Sequence, residues 1–256
     1  MKNGTEEGGA RLVLVTGGGQ GIGFAIAEEF LAKGDTVIIA GRSGSKLERA
    51  RGSLCGKYSE SSVAAFETDV TDAGAVAQLR GEIEEQYDGW LDVLVNNVGN
   101  FVFAPTLEHS PGQWRDVVDS NLTSVFLMSR AFAPLLGRSG CGRIINIAAA
   151  YASIQEAFPS YGPFAAAKAG VLSLTRTLAS ELAAEGITVN AVSPGLIDTG
   201  AYDAGVIEEW SKTIPAGRFG LPEEVARAVV FLAGQQSSYI SGTEIRVGGG
   251  WAGDKP

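Results

Sequence analysis

Short runs of β-branched and aliphatic residues alternate along the chain with stretches of helical apolar period. Strands are predicted at Leu12–Val15, Thr36–Ala40, Val63–Phe66, Leu91–Val95, Arg143–Ile147, Thr188–Val192 and Glu244–Val247. Between them the 3.6-residue period predicts helices over Ile22–Lys33, from Lys46 past Arg51, over Ala73–Tyr87, over a long Trp114–Leu136, over Phe164–Glu185 and over Pro222–Ala233. The strand runs are apolar nearly throughout rather than alternating, which is the pattern of strands buried on both faces. Strand and helix in strict alternation imply right-handed crossovers and a single doubly wound parallel α/β sheet of about seven strands, a Rossmann-type domain. No repeat and no second domain breaks the pattern over residues 1–256, and residues 1–9 read as a flexible end. The longest irregular stretch, residues 195–222, is expected to be a substrate loop, since long loops in compact domains are usually functional.

Composition narrows the partners. The net charge of −9 argues against nucleic acid and anionic membrane surfaces. It leaves a phosphate-bearing ligand open, because one local arginine suffices for that. Cys55 and Cys141 form no CxxC pair and no metal spacing, so no metal site is expected and a reduced cytoplasmic protein is the simplest reading. The N-terminus lacks the apolar core of a signal peptide, and no apolar run is long enough to suggest a membrane span. The one histidine, His109, falls in a polar run and is expected to be solvated rather than catalytic.

The 35 glycines cluster near the two ends. The first cluster is the sharper signal. Strand one runs into Thr16-Gly17-Gly-Gly19-Gln20-Gly21-Ile22-Gly23, and a helix follows at once. Glycines let the backbone turn tightly and approach a ligand, and the helix N-terminus offers free N–H groups to a pyrophosphate. A glycine turn between a first strand and a first helix is far more specific than the same glycines elsewhere.

Several further motifs follow in order: Asn96-Asn97-Val98-Gly99 after strand four, Asn121 within Asp119–Phe126, Ser193-Pro194-Gly195-Leu-Ile197-Asp-Thr199, Ile214–Gly220 and Ser238–Gly242. With the Thr-Gly-x-x-x-Gly-x-Gly turn, they make the whole chain resemble the short-chain dehydrogenase/reductases, and within them the 3-oxoacyl-ACP reductase-like members. The resemblance implies a nicotinamide cofactor, held by the turn, by Asp69 and Val70 at the adenine, by Asn97, Val98 and Gly99, by Lys168 at the ribose, and by Pro194, Gly195, Ile197 and Thr199 at the nicotinamide. It also implies a homo-oligomer, dimer or tetramer, formed through the two long helices, whose small residues Ala165–Ala167, Ala169 and Gly170 permit close approach.

Strand two ends Ala40-Gly41-Arg42-Ser43. An NAD site places an acidic residue there for the ribose hydroxyls. Gly41 occupies that position, and Arg42 suits a 2′-phosphate, with Ser43 as a further donor, so NADP(H) is expected over NAD(H).

The family's chemistry needs a tyrosine four residues before the lysine and a serine on the loop after strand five. Asn121 and Lys168 are retained. Phe164 stands at the tyrosine position and Ala149 at the serine position. Phenylalanine has no proton to donate, and alanine cannot hold an oxyanion. Three substitutes are open: Tyr161, Tyr151, or a substrate that brings its own proton or needs none. The expected function is an NADP(H)-dependent oxidoreductase acting on a carbonyl or alcohol with an atypical proton donor. Its alternatives are a cofactor-binding protein of this fold without redox catalysis, and a non-redox cyclase or dehydratase using the same pocket. Phe101, Phe103, Phe158, Trp210 and Phe219 suggest an apolar or aromatic small-molecule substrate.

Overall fold

The computed structural model describes residues 9–153 and 159–251, without the side chains of Tyr151 and Ser153. Seven strands form one sheet: β1 (Leu12–Thr16), β2 (Thr36–Gly41), β3 (Val63–Glu67), β4 (Val93–Asn96), β5 (Arg143–Ile147), β6 (Thr188–Pro194) and β7 (Glu244–Val247). All pairings are parallel, and the strand order is β3-β2-β1-β4-β5-β6-β7. Eight helices accompany them among the described residues: α1 (Gly21–Ala32), α2 (Gly44–Cys55), α3 (Ala73–Gln86), α4 (Pro111–Val118), α5 (Ser124–Ser139), α6 (Gly162–Glu181), α7 (Ala204–Ser211) and α8 (Pro222–Ala233).

The two-residue period of β1 divides the core. Val13 and Val15 pack with Ala25, Ile26 and Phe30 of α1 and with Val225 and Val229 of α8. Leu12 and Leu14 face the other way, into Leu79 and Ile83 of α3 and Met128 and Phe132 of α5. Both faces are therefore dry, as the apolar runs predicted. The chain order reverses between β1 and β4, and such a switch point opens a crevice beyond the strand C-terminal ends where ligands bind.

Three local expectations need correction. The predicted Trp114–Leu136 helix begins earlier, at Pro111, where Ser110 caps it by accepting from Gln113 N. It is also interrupted by a π turn at Asp119–Thr123, which widens the helix by one residue around Asn121. The predicted Phe164–Glu185 helix starts at Gly162, with Pro163 inside its first turn where no N–H partner is needed, and its regular part ends at Glu181. Finally, the stretch 195–222 contains α7, whose apolar residues Ile207 and Trp210 pack on a small satellite cluster of Ile214, Phe219 and Trp251. Eight residues are too few for a clear helical period in the sequence. The ends of this stretch are tied together by Gly220 N donating to Leu196 O and Asp198 N to Gly220 O, both at 2.9 Å.

Candidate active site

The glycine turn is locked from below. Thr16 Oγ1 donates to Val95 O of β4 and accepts from the backbone N–H of Asn97 (2.9 Å) and Val98 (3.2 Å). Asn97 Nδ2 donates back to Thr16 O at 3.0 Å. The turn and the end of β4 are thus one rigid unit. Gly17 and Gly21 take φ of +69° and +54°, which disfavours any side chain. At Gly23 a Cβ would overlap the Gly17 carbonyl and lie 2.5 Å from Asn97 Nδ2. The first turn of α1 has no side-chain cap at Gln20, so its N–H groups face the crevice unspent.

A cavity of about 400 Å³ opens above this turn. It is lined by Gly17, Gly19, Gln20, Gly21, Ile22 and Gly23, by Gly41, Arg42 and Ser43, and by Val70, Asn97, Val98, Gly99 and Thr199. These are the residues expected at a dinucleotide, brought together from the ends of five strands. Lys46 and Thr68 also line it and escaped the sequence reading. Lys46 sits in the first turn of α2, one helical turn beyond Arg42, a placement that only the start of α2 at Gly44 reveals. Thr16 lies beneath the turn rather than on the cavity wall, and is a brace. Asp69 is also absent from the wall. Burial would raise its carboxyl, but hydrogen bonds from Thr71 Oγ1 (2.7 Å) and Thr71 N (3.0 Å), with the charge of Arg42, outweigh this and hold it below the usual range.

A second cavity, about 500 Å³, continues from the first through Ile22, Asn97, Gly99 and Thr199. Its floor is Ile147, Ala148 and Ala149 at the end of β5, with Phe164 and Lys168 of α6 and Asn121. α6 is fixed to the sheet by a buried chain: Asn96 Nδ2 donates to Asn146 Oδ1 (2.8 Å), Asn146 Nδ2 to Thr175 Oγ1 (2.9 Å), and Thr175 Oγ1 to Val171 O (2.8 Å). Lys168 is 4% exposed and donates from Nζ to Ile147 O at 2.7 Å. Burial pushes its pKa down to about 7. Its Nζ also lies 5.5 Å from the centre of the Phe164 ring, one helical turn earlier on the same face.

Asn121 is fully buried at the π turn. Its Nδ2 donates to Asn100 O (2.7 Å) and Val117 O (2.9 Å), while its Oδ1 has no protein partner. That oxygen and Lys168 Nζ converge on the bare Cα of Gly99, where a Cβ would collide with the Asn121 side chain. A buried acceptor, a buried amine and a bare glycine in one place form a polar niche in an otherwise apolar cavity.

The outer wall is aromatic. Tyr161 packs against Phe101 and Phe103, with ring centres 5.8 and 5.2 Å apart, and Phe101 meets Phe164 at 6.0 Å. Tyr202 meets Trp210 at 6.2 Å and Phe219 at 5.7 Å. Tyr161, Tyr202, Trp210 and Trp251 all line the cavity, together with Pro194, Gly195, Leu196, Ile197, Thr199 and Glu209. Burial pushes both phenols, Tyr161 and Tyr202, above the ordinary tyrosine range. Tyr202, Glu209 and Trp251 were not singled out from sequence, because only the fold of the 195–222 segment and the return after β7 bring them here. The Tyr151 side chain and Phe158 lie outside the described residues. His109 does not line the cavity, and it is half-buried rather than solvated as expected: its ring nitrogens lie 3.2 Å from Pro105 O and Val102 O and brace the loop that carries Phe101 and Phe103. Both cysteines are free. Among the described residues no cluster of His, Cys, Asp and Glu could hold a metal, and no helix is long and apolar enough to cross a membrane.

Known proteins resemble this chain over nearly its whole length. Residues 17–252 match a family model described as enoyl-(acyl carrier protein) reductase. The 3-oxoacyl-[acyl-carrier-protein] reductase of Haemophilus influenzae is 37% identical over 243 residues, 94% of this chain and 97% of the relative. A 3α-hydroxysteroid dehydrogenase of Mediterraneibacter gnavus is 33% identical over 93% of this chain and 96% of its own. Among solved structures, one described as a putative gluconate dehydrogenase from Agrobacterium tumefaciens superposes with a TM-score of 0.88 at 31% identity, covering 97% of this chain and 98% of the other. Sheet order, glycine turn and near-complete coverage by such relatives agree, and the chain belongs to the short-chain dehydrogenase/reductase family, as an oxidoreductase of that kind.

Proposed function

We propose that the protein is an NADP(H)-dependent oxidoreductase whose proton chemistry differs from the family's usual tyrosine and serine pair. The observation that carries this is the continuity of the two cavities. A phosphate cradle with bare glycines and uncapped N–H groups leads past Arg42 and Lys46 on one side, and to Lys168 and the Asn121 niche on the other. These residues fit a dinucleotide: the turn and α1 would hold the pyrophosphate, Arg42, Ser43 and Lys46 a 2′-phosphate, Lys168 the nicotinamide ribose, and the 194–199 segment the nicotinamide ring. When bound, that cofactor supplies or accepts a hydride.

The chain's own residues set the rest. Phe164 and Ala149 stand at the tyrosine and serine positions, so a carbonyl oxygen on this floor meets no phenol and no serine hydroxyl. A positioned general acid is worth roughly 10²–10⁴ in rate, and an oxyanion donor roughly 10²–10³. The proton for a carbonyl then comes from Tyr161, which shares the Phe101 contact with Phe164, from Tyr151, or from the substrate itself. The aromatic wall supports an apolar or aromatic small molecule. Phe126 on α5, 46% exposed, supports assembly of copies through the α5 and α6 faces.

Titration with NADPH and NADH, followed by fluorescence, tests the cofactor. Tighter NADPH binding is expected, and no binding of either would sink the proposal. Turnover of a panel of aromatic ketones and alcohols then tests catalysis. Loss of ketone turnover in Tyr161→Phe assigns that phenol, and binding of NADPH with no turnover of any electrophile identifies a cofactor-binding protein instead.

A further inference from the structure

The cavity above Lys168 carries charge in an unusual balance. Among its described lining residues the only ionisable groups besides Lys168 and the two tyrosines is one carboxylate, Glu209, which is exposed to solvent. Beside Asn97, Thr199 and the unpartnered Asn121 Oδ1, itself a buried acceptor, most of the lining that could orient a ligand is aromatic: Phe101, Tyr161, Phe164, Tyr202 and Trp210. Aromatic faces carry partial negative charge and attract cations, most strongly where water is excluded. Phe164 already lies under one cation, the Lys168 ammonium.

Resting on the reading of the site as a hydride-transfer site, we propose that its substrate class is an iminium cation, a C=N⁺ group on an apolar or aromatic framework, rather than a neutral ketone. The chemistry accounts for both missing groups at once. A carbonyl gains negative charge on oxygen as hydride arrives, and needs a donor and a proton. An iminium carbon accepts one hydride, with its electron pair, from the reduced nicotinamide. The C=N π pair becomes the nitrogen lone pair, the positive charge is lost, and the oxidised dinucleotide is released with no proton moved. Neither a phenol at 164 nor a hydroxyl at 149 is needed for that step. The aromatic wall and Glu209 hold the cation, and the burial that pushes Lys168 down to about 7 lessens its repulsion.

The test compares two bicyclic probes of similar size, N-methyl-3,4-dihydroisoquinolinium and 1-tetralone. The first is permanently charged, so its protonation state is not a variable. Binding to the full-length protein saturated with NADP⁺, which cannot donate hydride, is followed by calorimetry. The iminium is expected to bind at least 10-fold tighter than the ketone. Glu209→Gln and Trp210→Ala are each expected to weaken the iminium about 5-fold or more, and Glu209→Gln to leave the ketone unchanged. With NADPH, the iminium is expected to turn over at least 10-fold faster than the ketone. Equal or tighter ketone binding, an iminium affinity indifferent to Glu209→Gln, or ketone turnover at the iminium's rate overturns the proposal. If NADPH and NADP⁺ themselves fail to bind, the dinucleotide reading falls first, and that failure is distinct from a ketone preference in the loaded protein.

Discussion

Restoring a phenol beside Lys168 tests the electrostatics of this floor directly. The substitution is Phe164→Tyr. Phe164 is only half-buried and its ring edges a cavity of about 500 Å³, so the added hydroxyl has room. The Lys168 ammonium lies 5.5 Å from the ring centre. At that separation and an effective dielectric of ~20, a charge pair gains roughly 3 kcal/mol, on the order of two pH units. Lys168 itself sits near 7, so its charge draws the phenol down only while the amine keeps its proton; the new phenol is expected to titrate below its value in the Lys168→Met background. Tyrosinate absorbance, as a difference between variant and parent protein, reads this pKa. The same substitution combined with Lys168→Met is the control, and there the phenol should return to ~10 or above. Equal titration in the two backgrounds would refute the coupling, and with it the view that the lysine position is still set for a phenol. If coupling is found, adding Ala149→Ser should raise ketone reduction by roughly 10²-fold or more over the parent, through the general acid and oxyanion donor together.

Three other outcomes are expected. Lys168 is buried with a pKa near 7 against 10.5 in the unfolded chain, so between those values the unfolded state binds more protons. Stability should therefore rise as pH increases from about 7 towards 10.5, by a few kcal/mol, and Lys168→Met should flatten that rise in denaturant titrations. Gly23→Ala forces a Cβ into the Gly17 carbonyl and to 2.5 Å from Asn97 Nδ2, which should cost about 1–3 kcal/mol of stability by thermal unfolding and abolish NADPH-induced stabilisation. Arg42→Ala should weaken NADPH roughly 10–100-fold while leaving NADH within about 2-fold, measured by fluorescence titration; equal losses for both would argue against a 2′-phosphate contact.

How much of the molecule was legible before folding depends on range. The parallel sheet could be read because β1, β2 and β4 are almost wholly apolar and the centres of β5 and β6 nearly so, a pattern that suits strands buried on both faces. The phosphate turn could be read because its constraint is local: glycines at 17, 21 and 23 answer to a turn of eight residues and the backbone beneath it. Phe164 and Lys168 are one helical turn apart, so their shared face was also legible. The π turn at Asn121 was not, since a one-residue widening leaves the apolar period almost intact. It aims the Asn121 amide at Gly99, and the reason lies in contacts with Asn100 and Val117 rather than in the helix's own sequence.

What the sequence by itself determined is the fold, the glycine turn between β1 and α1, and the absence of a phenol and a hydroxyl at 164 and 149. These rest on short-range steric and hydrophobic rules. Tertiary structure alone decided the character of the cavity. Tyr202, Glu209 and Trp251 join Tyr161 and Trp210 from three separate segments, which meet only after β5, β6 and β7 have aligned their C-terminal ends. Burial of Lys168 likewise follows from α6 docking on the sheet, through Asn96, Asn146 and Thr175. Its lowered pKa is a property of that packing, because desolvation depends on what surrounds the amine in space and not on its neighbours along the chain.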